Sequence, residues 1–145
     1  MTILAGHTDA PTRARTRASI ANHRTSFEAS IERELRHGAT LGMSLPSRLW
    51  DVLNVLVERE ISHPGATNEL KLLEAVPIFG LLRGPRFERR LTRLLRSGLV
   101  RRERTTLRPT VAGIAAVRPI ASLPGSQRPS QELLRELRRG EIGRI

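Results

Sequence analysis

The sequence contains no cysteine and few aromatic residues. The absence of cysteine excludes disulfides, thiolate metal sites and thiol catalysis. The aromatic side chains are one tryptophan, Trp50, and three phenylalanines, and there is no tyrosine. A hydrophobic core must therefore be built mainly from leucine, valine and isoleucine.

Residues that carry common enzyme chemistry are also scarce. The four histidines are scattered and lack the spacing of metal ligands. Lys71 is the only lysine, and neither a phosphate-binding Gly-Lys-Ser/Thr loop nor a Gly-x-Ser-x-Gly nucleophile motif occurs. The sequence predicts a protein that is not an enzyme and that needs no cofactor or metal.

Long hydrophobic runs are missing as well. The longest uncharged apolar stretch, Ala75 to Leu82, is far too short to cross a bilayer, and the first six residues are too short for the apolar region of a signal peptide. We expect a cytoplasmic protein without a membrane partner.

What the chain has in excess is arginine. There are 25 basic residues and 14 acidic ones, which give a net charge of +11, and all the basic residues except Lys71 are arginine. The excess is local, since residues 81–108 hold ten arginines and two glutamates, whereas residues 44–76 have more acids than bases. A concentrated positive surface favours a polyanionic partner.

The pattern along the chain predicts five segments: a flexible basic arm (1–24), an N-terminal helix (25–43), a core domain (44–118), a Pro/Ser/Gly-rich linker (119–129) and a C-terminal helix (130–145). In the N-terminal helix, Thr25 and Glu28 form a capping-box pattern, and Gly38 offers a stop.

The core domain is predicted to be mainly α-helical with one small β-hairpin. Its first helix, 44–61, has Ser44 as its cap, and a second helix capped by Thr67 or Asn68 ends at Pro77. A third helix covers 85–97 and is followed by Gly98, a residue suited to a left-handed C-terminal position. Short strands follow, then helices that start at Thr110 and at Ser130.

The third helix has two opposite faces. At about 100° per residue, its large apolar side chains share one arc with Phe87. The other arc holds five arginines and no carboxylate: Arg86, Arg89, Arg90, Arg93 and Arg96. Because like charges repel, this face is mildly destabilising by itself, which favours a binding role over a purely structural one.

Two segments in this order resemble the winged helix-turn-helix of the MarR and PadR types. The sequence from Leu94 to Val100 fits the Leu-x-x-x-Gly-Leu-Val segment that joins the recognition helix to the wing in those families, and the sequence from Pro109 to Gly113 is similar to the segment that leads out of the wing. Two departures stand out, because the wing is short and the turn 77–84 is longer than usual and apolar.

The resemblance implies a sequence-specific transcriptional regulator that binds double-stranded DNA as a homodimer, with flanking helices outside the winged domain. The third helix would enter the major groove, where Arg86, Arg89, Arg90 and Arg93 are the candidates for reading guanine, and wing arginines would contact phosphates. The wing candidates are Arg101, Arg102, Arg104 and Arg108. The apolar candidates for the dimer interface are Phe27, Ile31, Leu35, Trp50 and Val57. No effector ligand is indicated.

Three alternatives remain open at this point. The same domain could be an architectural or replication-linked nucleic-acid binder with little sequence preference. It could also be an adaptor that docks an acidic protein, or an RNA-binding protein, although the shortage of aromatic residues disfavours recognition of single strands.

Overall fold

The computed structural model describes residues 26–118 and 129–142, so the predicted arm 1–24, Thr25 and nearly all of the predicted linker lie outside the described residues. The chain divides into two compact units, Met1–Glu32 and Arg33–Ile145. In the first unit, residues 26–32 are helical, with Ile31 buried and Phe27 half-buried. The remaining description concerns the second unit.

Residues 26–43 are helical (α1), so the predicted stop at Gly38 is wrong. A Cβ placed on Gly38 would lie 2.0 Å from the carbonyl oxygen of Ala112, and one on Gly42 would lie 2.2 Å from that of Ala116. The two glycines are one helical turn apart and therefore share a face. Glycine serves here to let two helix backbones touch, and it does not end the helix.

Helix α2 (Ser47–Ser62) is the centre of the fold. It begins one residue after Pro46, which occupies the cap position without a side-chain hydrogen bond. The predicted cap, Ser44, instead donates its hydroxyl hydrogen to the carbonyl oxygen of Leu41, at the end of α1. Proline fits at a helix start because the first backbone N–H groups have no intrahelical acceptor.

Two helices follow α2, and both were predicted. Helix α3 (Glu69–Ala75) is capped by Asn68, whose side-chain oxygen accepts a hydrogen bond from the backbone N–H of Lys71 at 2.8 Å. Helix α4 (Arg83–Arg96) contains Gly84 and Pro85 in its first turn. The turn between α3 and α4 therefore spans residues 76–82.

The predicted hairpin is present as β1 (Val100–Glu103) and β2 (Thr106–Pro109), which pair antiparallel with Arg101 opposite Arg108. Gly98, just before β1, has a φ of 78°, as predicted for a left-handed position. An isolated bridge joins Asn68 to Thr106, and the N–H of Leu107 donates to the carbonyl oxygen of Thr67 at 2.8 Å. The segment before α3 is thus tied to the hairpin.

Two short helices complete the described chain, α5 (Val111–Val117) and α6 (Gln131–Ile142). Both begin at a predicted cap: the hydroxyl oxygen of Thr110 accepts from the N–H of Gly113, and that of Ser130 accepts from the N–H of Leu133. The carboxylate of Glu141 in α6 accepts the N–H of Val111 at 2.9 Å, which links α6 to the start of α5.

The core lies around α2, which packs against α3, α4, α5 and β2. Val52, Leu53, Leu56 and Val57 of α2 are completely buried. Burial of such side chains stabilises the fold by about 1.5–3 kcal/mol each before entropy is counted. The described chain is mainly helical with one two-stranded antiparallel hairpin, as predicted.

Two residues of the predicted dimer interface have almost no accessible surface. Val57 has no exposed surface because its own chain already covers it, and Ile31 is 2% exposed. Leu35 and Trp50 keep part of their surface accessible. Within 26–118 and 129–142, no helix has both the length and the apolar character needed to span a membrane.

Candidate nucleic-acid interface

Helix α4 separates its apolar and basic side chains onto two faces. Phe87, Leu91 and Leu94 are buried against α2 and the start of the hairpin. Of the five predicted arginines on the opposite side, Arg90 is half-buried, and the other four are exposed: Arg86, Arg89, Arg93 and Arg96. None of the five forms an ion pair with a carboxylate among the described residues. The predicted basic face is thus brought together on one helix, with its charges uncompensated.

Four of these arginines line a depression of about 540 Å³ between α4 and the start of α2. Arg48 of α2 lies on its other side and adds a fifth guanidinium, which sequence reasoning missed. The complete lining is Pro46, Arg48, Leu49, Leu82, Arg86, Arg89, Arg90 and Arg93. The lining contains no carboxylate, so the depression favours a negatively charged ligand.

The backbone adds to this positive potential. The depression is bordered by the first turn of α2 and by the first turn of α4, and neither turn contains an acidic residue. The first N–H groups of a helix have no intrahelical acceptor, and the helix start carries a partial positive charge. Both helix starts therefore favour an anion in the same depression as the arginines.

The arginines of the hairpin differ in their exposure and in their partners. Residues two apart on a strand lie on the same face, so Arg101 and Glu103 share one face of β1, and Arg108 of β2 lies opposite Arg101. A nitrogen of Arg101 is 3.2 Å from an oxygen of Glu103, and the Arg101 side chain is 9% exposed. It lies over Gly140 of α6, where a Cβ would come within 2.5 Å of its two terminal nitrogens.

Arg108 is enclosed more completely, with 7% of its side chain exposed. Its guanidinium donates to the carboxylates of Glu60 in α2 and Glu136 in α6, the latter at 2.8 Å. Glu60 is itself fully buried and also accepts the N–H of Gly65. Placing Arg101 and Arg108 on phosphates was wrong, because their guanidinium groups are directed into the protein and are already paired.

The ionisation of Arg108 follows from these contacts. Burial by itself lowers the pKa of Arg108, but hydrogen bonds to Glu136 and Glu60, together with their negative charges, outweigh burial and raise the pKa above its ordinary value. The guanidinium remains charged inside the protein and acts as an ionic link between α2, β2 and α6.

Two arginines of the hairpin are accessible, although Val100 and Leu107, on the same face of the sheet as Arg102, are buried. Arg104 is exposed at the turn between the strands, where its φ is 58°. Arg102 is 51% exposed, and one of its nitrogens lies 3.3 Å from a carboxylate oxygen of Glu69. An exposed pair of this kind contributes about 0–1 kcal/mol, so Arg102 can exchange Glu69 for a phosphate at little cost.

The described residues contain no group of histidine or acidic side chains suited to a metal ion. Their most distinctive chemistry is the basic depression between α4 and the start of α2, together with the accessible Arg102 and Arg104 of the hairpin. Arg48 escaped the sequence analysis because its proximity to α4 depends on how two helices pack, and no local pattern marks it.

Comparisons with family models, with curated proteins and with solved structures gave no match to this chain. The likeness to MarR and PadR types therefore rests on the two sequence segments quoted above.

Proposed function

We propose that this protein is a sequence-specific, double-stranded DNA-binding transcriptional regulator of the winged helix-turn-helix type. The observation that carries the proposal is the α4 face, on which five arginines stand together without a compensating carboxylate. A helix of 14 residues is about 21 Å long, and its width matches the B-DNA major groove, which is about 12 Å wide.

The order of the helices and strands supports the same proposed function. Three helices, α2 to α4, are followed by a hairpin, and the bridge from Asn68 to Thr106 ties the hairpin to the segment before α3. This is the order expected of a winged helix-turn-helix, in which α4 is the recognition helix and β1–β2 is the wing.

Base recognition is assigned to four arginines of α4. A guanidinium can donate two hydrogen bonds to O6 and N7 of guanine, so Arg86, Arg89, Arg90 and Arg93 are the candidates for base contacts. Arg96, at the end of the helix, together with Arg48, Arg102 and Arg104, is assigned to phosphates, which position the protein without reading sequence.

A homodimer belongs to this proposal, because symmetric dimers read paired half-sites. Of the apolar residues predicted for the interface, Phe27, Leu35 and Trp50 retain accessible surface and remain candidates. Sedimentation tests the point: a dimer at tens of micromolar protein supports this part of the proposal, and a monomer throughout that range opposes it.

Selection of bound sequences from a random duplex pool tests the function. We expect enrichment of a short guanine-containing motif, present twice if the protein acts as a dimer. Tight binding without enrichment of any motif would instead favour an architectural binder. Absence of duplex binding, with capture of an acidic protein, would favour an adaptor.

A further inference from the structure

The turn between α3 and α4 presents large apolar side chains to solvent. Phe79 is 79% exposed, Leu82 is 55% exposed, and Leu81 is fully exposed. Scattered single apolar residues on a surface are ordinary, but three within four positions form a patch, and such patches mark binding surfaces.

The backbone of this turn is firmly held. Val76 and Ile78, on either side of Pro77, are both 3% exposed and anchor the turn in the core. At its other end, the N–H of Arg83 donates to the carbonyl oxygen of Gly80 at 3.2 Å, and the Arg83 guanidinium donates to that of Leu73. Gly80 has a φ of 95°, which a residue with a side chain rarely adopts. The exposed side chains are thus presented by an ordered turn.

The apolar turn is continuous with the arginine surface. Leu82 lines the same depression as Arg86, Arg89, Arg90 and Arg93, so a ligand held by those arginines also meets Leu82. Phe79 is three residues earlier, a distance of about 10 Å at most along the chain. The charge of the depression favours an anionic ligand, and Leu82 gives that ligand an apolar group to contact, with Leu81 and Phe79 next to it along the chain.

The DNA major groove offers one apolar group next to its polar base edges, the C5-methyl group of thymine. We propose that Phe79, Leu81 and Leu82 form an apolar reader of thymine methyl groups, adjacent to the guanine contacts of α4. This inference rests on the proposed DNA-binding function and adds a second determinant of sequence to it.

Replacement of thymine by deoxyuridine tests the proposal, because it removes only the methyl group. The probe is the duplex enriched in the selection, with each thymine replaced in turn. For the parent protein, we expect at least one replacement to weaken binding about fourfold, the effect of withdrawing one methyl-sized group from burial. In at least one of the variants Phe79→Ser and Leu81→Ser, that same replacement should have no effect, because the side chain that covers the methyl has been removed.

Ile61→Ser is the matched control. Ile61 is also an exposed apolar residue, at 37%, but it lies 13 residues along α2 from Arg48, which is about 20 Å along a helix. This variant should keep the full sensitivity of the parent to deoxyuridine. Thermal unfolding should be unchanged in both turn variants, since their side chains contribute nothing to the core.

The outcomes separate this inference from the proposed function. If the parent binds the duplex with the expected salt dependence and binds equally well when any thymine is replaced by deoxyuridine, the methyl reader is overturned and DNA binding stands. The same conclusion follows if the turn variants lose affinity equally on thymine and deoxyuridine duplexes. An enriched motif without thymine has the same meaning. If the parent binds no duplex at all, both proposals are overturned.

Discussion

Arg108 of β2 and Glu60 of α2 form a buried ion pair, although 48 residues of sequence separate them. Glu60 has no exposed surface, and Arg108 also reaches Glu136 of α6. An arginine in the hairpin of a basic protein looks like a phosphate ligand, but here Arg108 links the hairpin to the central helix α2 and to the C-terminal helix α6.

Arg108→Met should therefore act on stability. Removal of one partner leaves a buried charge uncompensated, which costs about 3–5 kcal/mol. Urea unfolding, followed by the fluorescence of the single tryptophan, Trp50, measures the loss. The double variant Glu60→Leu/Arg108→Met should recover part of it, because no uncompensated charge remains in the core, while the N–H of Gly65 loses its acceptor. A double variant as unstable as Arg108→Met would contradict this role of the pair.

The close approach of α1 to α5 gives a second prediction about stability. Gly38→Ala places a methyl group 2.0 Å from the backbone of Ala112, so the helices must separate. We expect a loss of about 1–3 kcal/mol in the free energy of unfolding, the range for overpacked sites.

Gly84→Ala is the control for that change. Gly84 lies in the first turn of α4 with open space around its Cα, so an added methyl group meets no neighbour. Its gain in helix propensity is offset because a helical conformation is disfavoured for a residue with a Cβ directly before proline, here Pro85, so the free energy of unfolding should change by less than about 1 kcal/mol. Equal destabilisation by the two variants would show that loss of glycine, and not helix contact, is responsible.

The two accessible arginines of the hairpin should contribute affinity without specificity. Arg102→Ala and Arg104→Ala are each expected to weaken binding to selected and random duplexes by the same factor and to reduce the salt slope by about one. Titrations at several salt concentrations measure both effects. If neither variant changes the slope, the wing lies outside the interface.

Arg48 allows binding and stability to be separated. Its position in the first turn of α2 sets its charge against the positive end of the helix, so Arg48→Ala should stabilise the protein by about 0.3–1 kcal/mol. The same variant should weaken binding to all duplexes. Arg139→Ala, which removes an exposed arginine near the end of α6, is the charge-matched control and should leave binding unchanged. Equal binding by Arg48→Ala and the parent would remove Arg48 from the interface.

The features that the sequence predicted correctly are local ones. The caps Asn68, Thr110 and Ser130 act on N–H groups three residues ahead, and the two faces of α4 follow from helical periodicity. All of these depend only on neighbouring residues.

The features that it predicted wrongly depend on tertiary contacts. A glycine such as Gly38 can end a helix, or it can lie within a helix and allow the backbone of another helix to pack closely. The sequence does not distinguish these roles, because the choice depends on the position of α5. The alternation of side chains along the strands predicts that Arg108 and Arg102 lie on different faces of the hairpin. It does not predict which of the two faces contacts Glu60. The prediction that Val57 lies in a dimer interface is wrong for the same reason. The sequence of α2 shows that Val57 is apolar, but it does not show that other parts of the same chain bury it.

The most direct test of the central claim compares the parent with the double variant Arg89→Ala/Arg93→Ala in duplex binding across a range of salt concentrations. Both side chains are exposed and point away from the buried Phe87, so unfolding should be unaffected. For the parent, log K should fall linearly with log salt with a slope of about −3 or steeper, at −0.9 for each phosphate contacted.

The double variant should lose about 1–3 kcal/mol of binding free energy for each arginine on the selected duplex and much less on random duplexes. A parent that binds no duplex at about 50 mM salt, where phosphate contacts are strong, would contradict the account. So would a folded double variant that distinguishes selected from random DNA as well as the parent does.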